Sequence, residues 1–590
     1  MSEDVKTTTA MSRLLEDQRW LDPGQAETMD KELRSFLAQA TRGMSPIETL
    51  TAVVDWLGHL AISPGKLLML SESLIRKAVQ LGVFGLTAGF GKTDSSNVVN
   101  DRRMQGEEWQ VWPFNVMARG HELTREWLQE LTTGIDGVGR HHEEIVAFMA
   151  KQIADVLSPA NNPLTNPKVI ATTVEERGRN LVRGGRNFID DYRRDRNGEP
   201  LAGTESFRVG EHLGITPGKV VLQNELMELI QYEPTTKQVG AEPVMIIPAW
   251  IMKYYILDLT PDASLVRYLV EQGKTVFIVS WKNPTDEDRD LGMKDYLDLG
   301  VTAALDATIA ITGAKKVHAV GYCLGGTLLS IAAALMARRG DERLKTMSLF
   351  ASMVDFREAG EIGMFLGESM MSFLEALMRK QGYLGIENMT GAFTSLRVSD
   401  LVYEPNVNRY LLGQDRKLNG LLAWNTDGTR MPYRMHMEYL RNCYIENNLA
   451  GSRYRVDGET VSIDDISVPG FVVGTVTDHV APWKSVYEIH RLTHNELTFV
   501  LTTGGHNAGI ACGPEHPRRK HQVAVRAPGD RYDDPDSWFA THKAVPGSWW
   551  STWNRWLDER MSGMRVPPKT GAPRKGYKTL GDAPGEYVFG

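Results

Sequence analysis

The sequence predicts an α/β fold: a mostly parallel sheet covered by helices on both faces, with a mostly helical region in front of it. From about residue 206, runs that are apolar nearly throughout, such as "PVMIIPAW" and "PGFVVGT", alternate with helical stretches, as strands buried on both faces do. Before that point, apolar residues recur at helical spacing. The change of period near residue 206 therefore predicts two domains.

The N-terminal domain is expected over residues 1–205. The stretch "SPIETLTAVVDWLGHLAISPGKLLMLSESLIRKAVQLGVFG" begins with a Ser-Pro capping signal and carries apolar residues at helical spacing. The polar stretch "DDYRRDRNGEPLAGTESF" marks a boundary. Apolar stripes with Trp56, Trp109, Trp112 and Phe114 favour packing within the protein, and the alternative is that part of a stripe stays exposed for association or localisation.

The strands of the second domain, residues 206–590, can be placed in order. "KVVLQ" and "MELIQY" predict an opening pair, and "KTVFIVSW", "KVHAVGY", "TMSLFAS" and "ELTFVLT" predict buried strands. About 115 residues separate "TMSLFAS" from "PGFVVGT", far more than a simple crossover needs. We expect this insertion, about 355–466, to cap the active site. The Pro/Gly/Lys-rich tail, about 565–590, is expected to be loosely held.

Composition excludes several classes of function. The 590 residues have a formal net charge of -8, which argues against nucleic acid as a partner. Three cysteines with no CxxC pair favour a reducing cytoplasm and argue against a thiolate zinc site. The "HHEE" stretch at 141–144 lacks metal-ligand spacing. The sequence contains no apolar run long enough to predict a transmembrane segment. No metal site and no cofactor site are predicted.

One short stretch carries the candidate nucleophile. In "VHAVGYCLGGTLLS", a strand runs into Gly321-Tyr322-Cys323-Leu324-Gly325 and then a helix. This is the G-x-S-x-G nucleophile elbow of the α/β-hydrolase fold, with cysteine in place of serine. Small residues on both sides suit the tight turn. Cys323 then sits at a helix N-terminus, where the helix dipole stabilises negative charge.

The acid and the base are expected downstream, because in this fold the triad runs nucleophile, acid, histidine along the chain. "PGFVVGTVTDHVAPW" presents Asp478 after one strand, and "ELTFVLTTGGHNAGI" presents His506 after the next. His506 should take the thiol proton and Asp478 should orient the imidazole. His479, beside the acid, is the alternative base.

Backbone N–H groups complete the predicted site. The N–H of Leu324 should point into an oxyanion hole. The second donor in hydrolases comes from the loop after the third strand. Here that loop is "PAWIMKYYILDL", which indicates Trp250 and Ile251.

With these residues in place, the chain resembles the poly(3-hydroxyalkanoate) synthases, and the single-subunit kind most closely. "GYCLGGTLL" is similar to the cysteine lipase box of that family, and "NELMELIQYEP", "WIMKYYILDL", "VFIVSWKNP", "YLRNCYIENNL", "PGSWW" and "GHNAGI" are similar to its other landmarks. The resemblance implies Cys323, Asp478 and His506 as the triad. It also implies a hydroxyacyl-CoA substrate with no separate cofactor, a homodimer, and residence on polyester granules in the cytoplasm.

The chain departs from the family pattern at three positions. Ala249 and Met252 stand where the family usually has Pro and Asn, and Asn507 stands where an apolar residue is commoner. These positions affect the wall of the predicted pocket, and so the acyl preference, rather than the chemistry.

A cysteine suits acyl transfer from a thioester. Exchange of a CoA thioester onto Cys323 retains a thioester, so little free energy is lost at loading, and attack by a hydroxyl then forms a more stable oxoester. The cap would exclude competing water. The alternatives are a cysteine thioesterase or intracellular polyester depolymerase, and a non-catalytic granule-coat protein.

Overall fold

The computed structural model describes residues 26, 29–30, 32–33, 45–88, 99, 101–197, 199, 201–363, 366–388, 402–416 and 418–590. A large mixed sheet dominates the second part of the chain. The strands are β1 (Gly218–Gln223), β2 (Met227–Tyr232), β3 (Val239–Gly240), β4 (Val244–Ile247), β5 (Val276–Trp281), β6 (Val317–Tyr322), β7 (Leu344–Phe350), β8 (Tyr383–Leu384), β9 (Met431–Pro432), β10 (Arg455–Val456), β11 (Glu459–Thr460), β12 (Gly470–Thr475), β13 (Leu497–Thr502), β14 (Lys520–Arg526), β15 (Val545–Pro546), β16 (Met564–Arg565) and β17 (Gly581–Asp582).

The main sheet has the order β15-β14-β13-β12-β7-β6-β4-β5-β2-β1-β17. Its six central strands, from β5 to β13, are parallel, and the strands outside them are antiparallel. The β-rich runs expected from the sequence, including the opening antiparallel pair β1–β2, are all strands of this sheet. The carboxyl ends of the parallel strands meet at one edge, where folds of this kind place their sites.

The sheet is buried on both faces. Met245 and Ile247 of β4 belong to the hydrophobic core on one face, whereas the alternate residues Val244 and Ile246 belong to the core on the other. All four are fully buried. This explains why the strand reads as a continuous apolar run, and it confirms the prediction of a sheet covered on both sides.

Helices surround the sheet and precede it. They are α1 (Pro46–Ala61), α2 (Pro64–Ala88), α3 (Phe114–Thr132), α4 (Arg140–Val156), α5 (Pro167–Glu175), α6 (Arg179–Asn197), α7 (Leu265–Glu271), α8 (Met293–Asp295), α9 (Ala303–Thr312), α10 (Leu324–Arg338), α11 (Gly360–Gly363), α12 (Glu368–Gln381), α13 (Glu404–Asn406), α14 (Gly420–Asn425), α15 (Tyr433–Tyr439), α16 (Trp483–Tyr487), α17 (Ile489–Leu492), α18 (Pro535–Thr541) and α19 (Trp550–Asp558). None of the helices in the described ranges is both long and apolar enough to cross a bilayer.

The N-terminal helices pack as a chain of neighbours. Helix α1 packs on α4, α4 on α3, and α3 on α2. Trp109 is buried in a small cluster with Phe114, and Trp56 is partly buried in another, while Trp112 is exposed. The predicted aromatic stripe is therefore divided between packing and exposure. The boundary near residue 205 stays a prediction.

A long insertion lies between β7 and β12, and its role as a cap stays a prediction. It contains α11 to α15 and the short pairs β8–β9 and β10–β11. The N-terminal region contacts it at several places. Ser45 lies 2.8 Å from Ser369, oxygen to oxygen, the buried Asp191 is paired with Arg409, and Lys151 is paired with Glu361. The insertion is thus held against both parts of the chain.

The C-terminal segment is not loosely held, contrary to the expectation from its composition. Strand β16 pairs with β3, and β17 extends the main sheet by pairing with β1. At the end of the segment, the carbonyl oxygen of Gly590 accepts hydrogen bonds from Lys253 (2.8 Å) and Asn283 (3.0 Å). The expectation failed because β1 is otherwise an edge strand with unpaired backbone groups, and a polar segment can satisfy them without any hydrophobic pattern.

Candidate active site

Cys323 occupies a strained turn between β6 and α10. Its backbone has φ 53° and ψ -122°, a combination that non-glycine residues adopt only when their surroundings enforce it. The N–H of Cys323 donates to the carbonyl oxygen of Phe350 on β7 at 2.9 Å. The cysteine is therefore presented at the carboxyl end of β6, as the elbow pattern predicts.

The glycines around Cys323 are required by space. A Cβ on Gly321 would lie 2.3 Å from the Cα of Gly326, and one on Gly325 would lie 2.1 Å from the carbonyl oxygen of Ile247. Both contacts are with backbone atoms, which cannot rotate away. The glycines thus allow α10 to begin directly against β6 and against the end of β4.

Asp478 and His506 come together at the same edge of the sheet. Asp478 follows β12, His506 follows β13, and His506 Nδ1 lies 2.8 Å from Asp478 Oδ2. Asp478 is buried and also accepts from Thr475 Oγ1 (3.0 Å) and from the N–H groups of Val480 (2.9 Å) and Ala481 (2.8 Å). This network fixes the carboxylate so that it holds the imidazole by one nitrogen.

The electrostatics of the site favour a negatively charged Asp478 and a positively charged His506. Burial raises the pKa of a carboxyl group, but the charge and hydrogen bond of His506 and two backbone N–H donors outweigh it, so the pKa of Asp478 lies below its ordinary value. Burial likewise opposes a charged imidazole, but attraction to Asp478 and Cys323 raises the pKa of His506 well above its ordinary value. With Nδ1 bound to Asp478, Nε2 is the nitrogen left to exchange a proton with Cys323.

His479, the alternative base, has a different environment. Its carbonyl oxygen accepts from the N–H of Glu361 at 3.2 Å, in the first part of the insertion. The imidazole that binds Asp478 belongs to His506. The geometry therefore favours His506 as the base.

The predicted oxyanion groups lie next to the elbow. Leu324 is the first residue of α10, where a backbone N–H has no partner within the helix. The loop after β4 begins against Gly325, whose missing Cβ would lie 2.6 Å from the carbonyl oxygen of Pro248. Trp250 is buried in this loop, and Ile251 packs against the core. An oxyanion hole formed by Leu324, Trp250 and Ile251 stays a prediction.

The insertion brings two tyrosines to the site that the sequence did not single out. Cys323 and Tyr444 pack against the core cluster that contains Tyr439, and burial raises the pKa of both tyrosines. Their rings lie 5.6 Å apart, and Tyr439 also packs on Trp250 at 6.0 Å. Both belong to the "YLRNCYIENNL" stretch, but only the fold shows that this stretch packs in the same core cluster as Cys323.

A second unforeseen contact joins the strand of the nucleophile to the loop of the histidine. The hydroxyl of Tyr322 donates to Asn507 Oδ1 at 2.6 Å, and the Tyr322 ring lies 5.8 Å from that of His506. Asn507, one of the departures from the family pattern, therefore satisfies a buried hydroxyl beside the site.

The fold and the elbow define a protein of the α/β-hydrolase class. A family model described as "alpha/beta hydrolase fold" matches residues 242–510. Two further models match in front of it: "Poly-beta-hydroxybutyrate polymerase N terminal" over residues 24–66, and "Poly-beta-hydroxybutyrate polymerase (PhaC) N-terminus" over residues 100–269.

Comparison with curated proteins identifies a family within the α/β-hydrolase class. The chain is 38% identical to "Poly(3-hydroxyalkanoate) polymerase subunit PhaC" of Rhizobium meliloti, over 85% of this chain and 82% of that one. It is 33% identical to the subunit of the same name in Cupriavidus necator, over 84% of each chain. The chain therefore belongs to the poly(3-hydroxyalkanoate) polymerase family, and it is an acyltransferase.

The solved structures to which this chain is similar share less of its sequence. A soluble variant of monoglyceride lipase from Saccharomyces cerevisiae is 12% identical, with a TM-score of 0.34 over 59% of this chain and 96% of that one. A meta-cleavage product hydrolase from Pseudomonas fluorescens is 15% identical, with a TM-score of 0.25 over 50% of this chain and 93% of that one.

Proposed function

We propose that this chain polymerises (R)-3-hydroxyacyl-CoA into polyhydroxyalkanoate, with release of CoA, through an acyl-thioester on Cys323. The observation that carries the proposal is the assembly of Cys323, His506 and Asp478 at one edge of the sheet, in a chain of this family. The names of the relatives supply the substrate class.

In the first half-reaction, the sulfur of Cys323 attacks the thioester carbonyl after its proton has passed to His506. Asp478 keeps the imidazole oriented and stabilises its positive charge. The N–H of Leu324, with that of Trp250 or Ile251, would donate to the oxyanion. CoA then leaves as a thiolate, takes the proton from His506, and the acyl group remains on Cys323.

In the second half-reaction, the hydroxyl of another acyl unit attacks the thioester on Cys323. His506 accepts the hydroxyl proton and returns it to the cysteine sulfur as the C–S bond breaks. One oxoester bond is formed in each cycle, and the thiol is regenerated. Since an oxoester is more stable than a thioester, this step drives the cycle forward.

Water competes with the hydroxyl, and the insertion opposes it. Tyr439 and Tyr444 come from this insertion; Tyr439 is buried, and Tyr444 and Cys323 pack against the core cluster that contains it. We propose that these rings help to exclude water from the thioester. This supports transfer to an alcohol over hydrolysis.

The N-terminal helices support association with the polyester and with a second copy of the chain. Helices α1 and α2 expose a row of large apolar side chains: Ile47, Leu50, Val54, Leu57, Leu68, Ile75, Val79, Val83 and Leu86. An exposed apolar surface of this kind marks an interaction site. We propose that it holds the enzyme on a polyester granule in the cytoplasm and contributes to a homodimer.

The activity is tested with purified protein and 3-hydroxybutyryl-CoA. The proposal expects CoA release, measured with a thiol reagent, together with an insoluble polyester. Soluble hydroxy acid as the product would indicate a thioesterase or depolymerase. Absence of both products would favour a non-catalytic coat protein.

The role of the N-terminal region is tested with a chain that starts near Phe207. We expect Cys323 to stay reactive towards an acyl-CoA analogue, and we expect attachment to granules and polymerising efficiency to fall. Unchanged granule binding and specific activity would contradict the proposed role. An insoluble product would indicate that the helices serve mainly to cover the catalytic domain.

A further inference from the structure

The loop that carries His506 has no regular secondary structure. Residues 503–513, between β13 and β14, contain neither helix nor strand. Its own hydrogen bonds are turns, such as the one from the N–H of Gly509 to the carbonyl oxygen of Gly505 (2.8 Å). Gly504 has φ 117°, a region of backbone space that L side chains rarely adopt. Contacts from other parts of the chain therefore matter for the position of the histidine.

Arg519 holds this loop at three points. Its Nη1 donates to the carbonyl oxygen of Thr503 (2.8 Å), its Nη2 to that of Ala508 (2.5 Å), and its Nε to Cys512 Sγ (3.0 Å). The first two acceptors lie on either side of His506. Among the described residues, no carboxylate lies within ion-pair distance of Arg519, so its planar fork is used to bind the loop.

The segment Ser548–Trp550 holds the far end of the loop. The indole N–H of Trp549 donates to the carbonyl oxygen of Gly509 (3.0 Å), and that of Trp550 to Ile510 (2.9 Å). The hydroxyl of Ser548 donates to the carbonyl oxygen of Cys512 (2.7 Å). All three donors are buried. This gives the "PGSWW" stretch a structural role, although it lies more than 40 residues downstream of His506.

We infer that Arg519 and Trp549 are positioning residues for His506, which keep its imidazole aligned between Asp478 and Cys323. The inference rests on the proposed catalytic role of His506. A misplacement of about 1 Å can cost about 100-fold in rate. A guanidinium that binds two carbonyl oxygens and a sulfur from one plane resists such a shift, and a lysine could reach only part of this set.

The first test compares Arg519→Met with Arg518→Met. Arg518 is the exposed neighbour, so the control removes the same charge without touching the loop. We expect Arg519→Met to lower kcat for CoA release at least 10-fold with KM little changed, and to shift the pH profile of Cys323 alkylation by iodoacetamide. Arg518→Met should change neither, and Arg519→Lys should recover part of the loss. A normal kcat and pH profile in folded Arg519→Met would overturn the inference.

The second test decides the matter if Arg519→Met does not fold. Trp549→Phe and Trp553→Phe each remove one buried indole donor, but Trp553 Nε1 donates to Ser348 Oγ on β7 (3.0 Å), away from the histidine loop. We expect both variants to lose thermal stability and only Trp549→Phe to lose kcat, by about 3- to 10-fold. Equal kcat in the two variants would refute a positioning role.

Alkylation of Cys323 separates this inference from the proposed function. The pH profile of alkylation reports the proton equilibrium between His506 and Cys323, whichever acyl group the enzyme transfers. Failure of the unmodified chain to form polyester would refute the proposed function. A pH profile unaltered by Arg519→Met and by Trp549→Phe would instead refute the positioning role.

Discussion

Replacement of Gly325 by alanine tests how closely the elbow is packed against the loop after β4. The new Cβ would lie 2.1 Å from the carbonyl oxygen of Ile247 and 2.6 Å from that of Pro248. Carbon and oxygen atoms ordinarily come no closer than about 3.3 Å, so the two segments must separate by about 1.2 Å. Ile247 pairs with Gly321 in the sheet, so the strand resists this movement.

The expected cost follows from two opposing effects. Overpacking typically costs about 1–3 kcal/mol, and occasionally more, whereas alanine gains about 1 kcal/mol over glycine in a helix. Because both clashes are with backbone, we expect the upper end of the overpacking range, and so a net loss of about 2 kcal/mol in the free energy of unfolding. The same separation would move the proposed oxyanion donors of the loop, and a shift of about 1 Å can cost about 100-fold in rate.

The matched control is Gly185→Ala. Gly185 is exposed on helix α6, and a Cβ there meets nothing within 4 Å, so this substitution should raise stability slightly and leave activity intact. Thermal unfolding and CoA release are measured for both variants. Wild-type stability and turnover in Gly325→Ala would refute the packing described for the elbow.

Three further perturbations follow. In a double-mutant cycle, Tyr322→Phe and Asn507→Ala should each lower kcat. The coupling energy between the two substitutions should be about 0.5–3 kcal/mol. Additive effects would mean that the 2.6 Å hydrogen bond between the two side chains does not contribute to catalysis. Asp478→Asn should still load an acyl group onto Cys323 but should elongate the polymer poorly, because a thiol needs an oriented base less than a hydroxyl does. Acyl labelling measures loading, and polymer yield measures elongation. An equal loss of loading and elongation would contradict this prediction. Burial lowers the pKa of His436 to about 4, below the value near 6.5 of the unfolded chain. The contribution of His436 to the free energy of unfolding is therefore complete above pH 6.5 and is lost as the pH falls towards 4. The loss between pH 7 and pH 5 is about 2 kcal/mol. His436→Leu should weaken the pH dependence of thermal unfolding by that amount, and an unchanged dependence would show that His436 is not buried in its neutral form.

The fold was predictable because its signals are local. Strands buried on both faces need apolar residues at every position, so β4 and β12 are visible as runs. The elbow needs glycines at fixed offsets, and these identify Cys323 without any tertiary information. Asp478 and His506 were found by the same reasoning, since each follows a buried strand and parallel strands end at one edge.

The remaining features depend on contacts between distant segments. Nothing in the sequence near Tyr439 or Tyr444 indicates that they pack in the same core cluster as Cys323, because the insertion must first fold back against the catalytic domain. The hydrogen bond from Tyr322 to Asn507 spans 185 residues. The C-terminal strand β17 has no hydrophobic pattern, since it adds to the sheet through its backbone and an ion pair between Asp582 and Lys219.

The central claim is that Cys323 carries the growing acyl group, and mass spectrometry of the acylated enzyme tests it most directly. The protein is quenched in acid during turnover of 3-hydroxybutyryl-CoA, and its peptides are analysed. We expect hydroxyacyl adducts on Cys323 and none on Cys443 or Cys512, which are buried. Cys323→Ala should carry no adduct and release no CoA, and Cys323→Ser should be nearly inactive. Turnover in Cys323→Ala, or an adduct on another residue in the active enzyme, would contradict the account.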